Sequence, residues 1–171
     1  MDTEPHDSHR IGVIADTHIP GKARAVPDAV LRLFDDEAVE LILHAGDLSA
    51  LAVLNQLEAY APVVAVQGNV ELPEVVRALP LTRELVVGGC AIGVVHDLGG
   101  RQHHARNARR LFPAARVVIF GHSHIPLIED RDGLLLLNPG SATDRRRQPQ
   151  CTVALLTITD GMPLARLVPL P

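Results

Sequence analysis

The sequence predicts an α/β fold in which two sheets pack together with helices outside them. Three observations carry this. From Arg10 to Val66 short apolar runs alternate with segments of helical spacing, in the order β-α-β-α-β. After Leu85 the pattern turns mostly to strands and hairpin turn signals. Finally, 47% of the 171 residues are hydrophobic, enough for one well-buried domain.

Residues 10–15 read as a buried strand around Ile11, Val13 and Ile14. Val26, Ala29, Val30, Leu33 and Phe34 follow helical spacing, and Pro27 suits a first turn. Residues 41–43 form the next strand. Ser49 is placed to cap a helix with Leu51, Leu54 and Leu57 on its apolar face. Residues 62–66 form a third strand, and this rhythm implies parallel strands joined by right-handed crossovers. Residues 85–87, a Gly88-Gly89 turn and residues 90–95 make a hairpin. A helix over 102–111 precedes a strand over 116–120, and strands over 125–129, 134–137, 152–158 and 164–168 complete an expected antiparallel back half. Asp132-Gly133 and Asp160-Gly161 mark hairpin turns.

Residues 1–10 are polar, lack the apolar centre of a signal peptide, and are expected to form a disordered tail before a single domain over 11–171. His6 and His9 lie in it and are expected to play no part. No run of apolar residues is long enough to span a membrane, so a cytoplasmic location is expected. Cys90 and Cys151 form no close pair and read as reduced thiols within apolar segments. With only Phe34, Phe112, Phe120 and Tyr60 as aromatics, the core must be aliphatic. A formal net charge of −4 disfavours nucleic acid as a partner, which normally needs a concentrated basic surface.

Five polar signatures follow apolar runs: Asp16-Thr17-His18, Gly46-Asp47, Gly68-Asn69, His96 and Gly121-His122-Ser123-His124. Together they supply two carboxylates, one amide and four imidazoles, the donor set of a two-metal site. Ligands in open α/β sheets collect beyond the carboxyl ends of the strands, so all five are predicted on one edge. The glycines would let the backbone turn there. Alternation along an extended segment would put the two side chains of Asp16-x-His18, and of His122-x-His124, on one side. Such mixed ligation suits Mn²⁺, Fe²⁺, Zn²⁺ or Co²⁺, and suits Ca²⁺ or Cu⁺ poorly. Two divalent ions against two carboxylates leave a positive site, which points to an anionic substrate, and phosphate esters are the expected class.

These signatures resemble those of the calcineurin-like metallophosphoesterase superfamily, D-x-H, G-D, G-N-x-[DE], H and G-H-x-H in this order, over residues 16–141. His44-Ala45-Gly46-Asp47 and Asn138-Pro139-Gly140-Ser141 are similar to further patterns of its small, single-domain bacterial and archaeal phosphodiesterase branch. The resemblance implies a four-layer α/β/β/α sandwich of two mixed sheets flanked by helices. It also implies a phosphodiesterase with two divalent ions, Mn²⁺ first, with Fe, Zn, Ni or Co also accommodated. Asp16, His18 and His124 would hold one ion, Asn69, His96 and His122 the other, and Asp47 would bridge them. A metal-bridging hydroxide would attack phosphorus, with Asn69 and His96 in the catalytic centre. The substrate would be a small phosphate ester, and small members often pair into homo-oligomers.

Two positions depart from the pattern. Val70 stands where larger members carry a histidine thought to protonate the leaving group. His96-Asp97 replaces a common His-Gly-His, and Asp97 is read either as a carboxylate orienting an imidazole or as a loop residue. His103 and His104 are expected on a solvated helix face, Arg145-Arg146-Arg147 in a solvated loop, and His44 in a structural role. The alternatives to a diesterase are a non-catalytic interaction scaffold, as in the retromer subunit that shares this fold, and a phosphomonoesterase or nucleotide pyrophosphohydrolase.

Overall fold

The computed structural model describes residues 8–171. The expected disordered tail falls partly on residues 1–7, which lie outside the described residues, as does His6. The expectation fails for residues 8–10. Strand β1 (Ser8–Ile14) starts there because Ser8, His9 and Arg10 pair with Thr159, Ile158 and Thr157. A partner about 150 residues away is invisible to a local polarity pattern.

After β1 come α1 (Asp28–Asp36), β2 (Leu41–His44), α2 (Ala52–Glu58), β3 (Val63–Ala65), α3 (Pro73–Ala78), β4 (Thr82–Val87) and β5 (Cys90–Val95). A 3₁₀ turn (Arg101–His103) leads into α4 (His104–Leu111), then β6 (Val117–Ile119), β7 (Leu127–Arg131), β8 (Leu134–Asn138), β9 (Thr152–Thr159) and β10 (Met162–Pro169). Pro27 precedes α1, with its first turn at Asp28. Ser49 does not cap α2. That helix buries Val53 and Leu57, and the Ser49 hydroxyl donates instead to the Val70 carbonyl. The short α3 has Pro73 at its start and buries only Val75, too little apolar periodicity to read from sequence.

The strands form two mixed five-stranded sheets, ordered β10-β9-β1-β2-β3 and β4-β5-β6-β8-β7. The back half is not simply antiparallel. β5, β6 and β8 run parallel, with α4 as the crossover between the first two, and only β4 and β7 at the edges are antiparallel. The hairpin of β9 and β10 returns to the first sheet beside β1. Each sheet therefore has a run of three parallel strands, β1-β2-β3 in the first and β5-β6-β8 in the second.

Alternation sorts the side chains into layers. Ile11, Val13, Leu43, Ile92, Val94, Val117, Ile119, Leu137, Leu156 and Ile158 fill the space between the sheets. On the outer face of the first sheet, Ile14, Ile42, Val153 and Leu155 meet Val30 and Phe34 of α1, Val53 and Leu57 of α2, and Val75 of α3. Val118, Leu134 and Leu136 of the second sheet meet Ala108 and Phe112 around α4. The result is the four-layer α/β/β/α sandwich. Cys90 is buried and Cys151 half-buried, both as free thiols.

Each outer interface turns on one phenyl ring lying flat over a strand glycine. A Cβ on Gly12 would come within 2.8 Å of the Phe34 ring, and one on Gly93 within 2.5 Å of Phe112. Both rings are almost wholly buried. Replacing either Phe34 or Phe112 by Ala should lower unfolding stability by about 3–5 kcal/mol through the cavity it leaves. Urea unfolding checks this; a loss below about 1 kcal/mol would show that the rings do not anchor the helices.

Candidate metal centre

The polar signatures all fall just past the carboxyl ends of the parallel strands. Asp16 follows β1, Asp47 follows β2, Asn69 follows β3, His96 follows β5, and His122 and His124 follow β6. Asp16, Asp47, His96 and His124 are at most 5% exposed and His18 is 9% exposed, whereas Asn69 and His122 lie at the surface side.

Convergence does not come from strand alternation. Asp16, His18, Asp47, His122 and His124 all have positive φ, between 45° and 68°, so both residues of Asp-x-His and of His-x-His sit in the left-handed region rather than in an extended pair. Such conformations cost on the order of 1–3 kcal/mol each and cluster where function over-determines them. The glycines serve mainly to make room. Only Gly46 has a positive φ among the three that precede Asp47, Asn69 and His122. A Cβ on Gly68 would lie 2.1 Å from Asp47 Oδ1, on Gly121 2.7 Å from Asp16 Oδ2, and on Gly46 2.7 Å from the His96 ring.

Two donor groups result. Asp16, His18 and His124 present ligand atoms within 4.8 Å of one another, and so do Asp16, Asp47 and His96. His18 Nε2 lies 3.2 Å from His124 Nε2 and 3.6 Å from Asp47 Oδ2. His96 Nε2 lies 3.3 Å from Asp47 Oδ2 and 2.9 Å from Asn69 Oδ1, whose oxygen is also 2.9 Å from His122 Nδ1. All seven sequence-predicted residues are thus brought together. His122 joins through Asn69, outside the two carboxylate groups.

The first ring nitrogens are already committed. His96 Nδ1–H donates to the Ala45 carbonyl at 2.8 Å, and His124 Nδ1–H to the Asp144 carbonyl at 2.6 Å. Their Nε2 lone pairs therefore point at carboxylate and amide oxygens, an arrangement that repels itself unless a proton or a cation lies between. Asp47 is oriented likewise: its Oδ1 accepts N–H donors from Asn69 and Val70, each at 2.8 Å, leaving Oδ2 for the centre. The donor set fits divalent transition ions.

Electrostatics of the protein without ions agree. Burial pushes the Asp16 carboxyl up to about 7, with Asp47 adding to this and His96 opposing it. For Asp47 burial acts upward, but the His96 hydrogen bond and charge outweigh it and hold the carboxyl at about 2. His18 and His124 are pushed down chiefly by burial. Burial lowers His96 too, yet Asp47 more than compensates and its affinity for a proton is raised. A cation would replace these protons, so ligands and protons compete.

Supporting residues include several from the patterns already quoted, with Thr143 and Asp144 outside them. Glu71 accepts N–H donors from Leu48, Ser49 and Gly68, tying the loops after β2 and β3 together; its signal was the acidic residue at the last place of the G-N-x-[DE] pattern. Ser141 Oγ donates to the Asp16 carbonyl and Thr143 Oγ1 to that of Thr17, while Asn138 Nδ2 donates to the Gly121 carbonyl. Asp97 is exposed, its carboxylate bonding its own loop at Gly99 and standing 3.9 Å from His122 Nε2. Of the three arginines only Arg146 reaches the centre, donating to the His122 carbonyl at 3.4 Å. His104 is not on a solvated face: its ring packs edge-on against Phe120. His9, expected to be idle, bonds Glu40 at 3.0 Å.

His44 is structural, as expected. Its Nδ1 accepts from the Gly46 N–H, so Nε2–H donates to Thr17 Oγ1 at 3.1 Å. Full burial holds its pKa at about 3, against an ordinary 6.5. Between those values the unfolded chain binds the extra proton, so stability falls as pH falls through that window. His18 and His124 act in the same direction. Asp16 and His96, whose affinity for a proton is raised, act in the opposite direction. The His44 contribution is therefore read by difference. In denaturant unfolding of the metal-free protein, the stability of the unaltered chain relative to His44→Gln should drop from pH 7 to pH 5. An unchanged slope in the variant would contradict the assignment.

The chain is similar to known proteins over most of its length. A model of the calcineurin-like phosphoesterase superfamily domain matches residues 10–161. A probable metallophosphoesterase of Methanothermobacter thermautotrophicus is 42% identical over 135 residues, 78% of this chain and 77% of that protein. A phosphodiesterase of Methanocaldococcus jannaschii is 29% identical over 144 residues, 77% of this chain and 82% of its own. Among solved structures, wild-type Vps29 of Entamoeba histolytica complexed with zinc is similar with a TM-score of 0.73 at 25% identity, over 94% of this chain and 98% of that one. With that domain's model matching residues 10–161 and the motif residues gathered at one sheet edge, the chain belongs to the calcineurin-like phosphoesterase superfamily.

Proposed function

We propose that this protein is a dinuclear-metal phosphodiesterase. The observation that carries the reading is the pair of adjoining donor groups, which share Asp16 and approach each other across Asp47. Asp16, His18 and His124 would hold one ion, Asn69, His96 and His122 the other, with Asp47 between them. Two such ions, when bound, supply an attacking hydroxide at neutral pH and neutralise phosphoryl charge. Manganese is the ion we assign first, with iron, zinc, nickel and cobalt also suited to this donor set.

The chain's own groups do the rest. Ala45 and Asp144 fix the imidazoles through their Nδ1–H bonds, so the ligand nitrogens need no reorganisation. The Asn69 amide steadies a phosphoryl oxygen, and Arg146 adds positive charge on the same side. Val70 is half exposed and carries no proton, so departure of the leaving oxygen goes unassisted from that position. This favours esters with acidic leaving groups.

Hydrolysis of bis(p-nitrophenyl) phosphate by metal-stripped protein, reconstituted with Mn²⁺, tests the reading. Turnover should require the metal and fall by more than about a hundredfold in Asp47→Asn. Folded protein that takes up Mn²⁺ and other divalent ions without any turnover would instead favour an interaction scaffold of this fold. Among monoesters, aryl phosphates should turn over much faster than alkyl phosphates. Similar rates for the two would show that another acid replaces the missing histidine.

A further inference from the structure

A cleft of about 330 Å³ opens directly beside the second donor group. Its lining includes Asn69, His96 and His122 together with the apolar Leu81, Val95 and Leu111. Leu81 precedes β4 and Leu111 ends α4, so these two leucines come from elements that supply no ligands, while Val95 is the residue before His96. Both leucines are exposed, at 67% and 39%, while most of the protein's aliphatic side chains are packed away. Exposed leucines facing a cavity next to a polar centre are a binding feature rather than a packing one.

The charge around the cleft is equally one-sided. Among the described residues lining it there is no lysine or arginine, and its single carboxyl group is that of Asp97. A second phosphate or a carboxylate on the substrate would find no counter-charge there and would face Asp97. A neutral ring would gain by covering Leu81 and Leu111, since apolar surface leaves water on both partners. A half-exposed His122 ring on the polar side adds a surface that suits a flat group.

We infer that this cleft seats one neutral, ring-bearing arm of the substrate, an aryl or comparably apolar cyclic substituent, while the phosphoryl group lies at the donor cluster. The inference rests on the phosphoesterase reading and narrows it. Esters with one uncharged flat arm are selected, and nucleoside polyphosphates, which would bring further negative charge, are rejected. Leu81 and Leu111 are specificity-determining residues, and neither carries a group that could ligate a metal.

Binding of phenylphosphonate and methylphosphonate to the Mn²⁺-loaded protein, read by calorimetry, tests this without any need for turnover. The two probes share the phosphonate and differ only in the arm. Phenylphosphonate should bind about tenfold or more tightly than methylphosphonate. Leu81→Ser/Leu111→Ser should erase that preference while leaving methylphosphonate affinity, Mn²⁺ uptake and melting temperature unchanged. Each single substitution, at an exposed site, should remove part of the preference. Equal affinities in the unaltered protein, or a preference that survives in the double variant, would overturn the assignment. If diesters are not hydrolysed but the phenyl preference holds and vanishes with the leucines, the hydrolytic reading fails and the cleft assignment stands.

Discussion

Burying Asp16 and Asp47 side by side is electrostatically unfavourable, and much of the surrounding structure is arranged to withstand it. Two carboxylates removed from water need nearby donors or cations. Backbone N–H groups of Asn69, Val70 and His122 supply part of this, and His96 supplies more. What they leave unbalanced is a set of oxygens and imidazole nitrogens aimed at one another. The left-handed residues, the ligand-facing glycines and the carbonyl anchors at Ala45 and Asp144 all hold that arrangement in place. It is the configuration of a site prepared for cations, in which stability is given up locally for preorganisation.

The sandwich makes this affordable by its topology. A run of three parallel strands in each sheet, β1-β2-β3 and β5-β6-β8, ends on one edge, so loops from both sheets meet there. The Ser141 and Thr143 hydroxyls, from the loop after β8, clamp the backbone of Asp16 and Thr17. Glu71 joins the loops after β2 and β3. Contacts that cross between loops of different strands fix the ligand positions more firmly than any one loop could.

The donor residues and the layered architecture were legible in the sequence because each depends on local pattern: apolar runs, followed by Asp, Asn or His. Pairing partners were less so. Nothing local shows that β9 returns to β1, or that Ser8 and His9 extend β1 by pairing with Thr159 and Ile158. The parallel run of β5, β6 and β8 was hidden because β7, inserted between β6 and β8 in sequence, gives the stretch a hairpin-like appearance. Alternation was the wrong reason for the convergence of Asp16 with His18, since backbone sign is not encoded in polarity. The motif glycines were expected for their flexibility, yet Gly68 and Gly121 are needed for the space beside Asp47 and Asp16. Asp144 escaped notice because it anchors His124 through its backbone carbonyl, which any residue type could supply.

Binding of Mn²⁺ to the metal-stripped protein, followed by calorimetry together with electron paramagnetic resonance, tests the central claim most directly. The account predicts two ions per chain, magnetically coupled through their shared carboxylates, with protons released as Asp16 gives up the one that burial holds on it. A single uncoupled ion per chain, or none, would contradict the claim that these facing donors form a dinuclear centre.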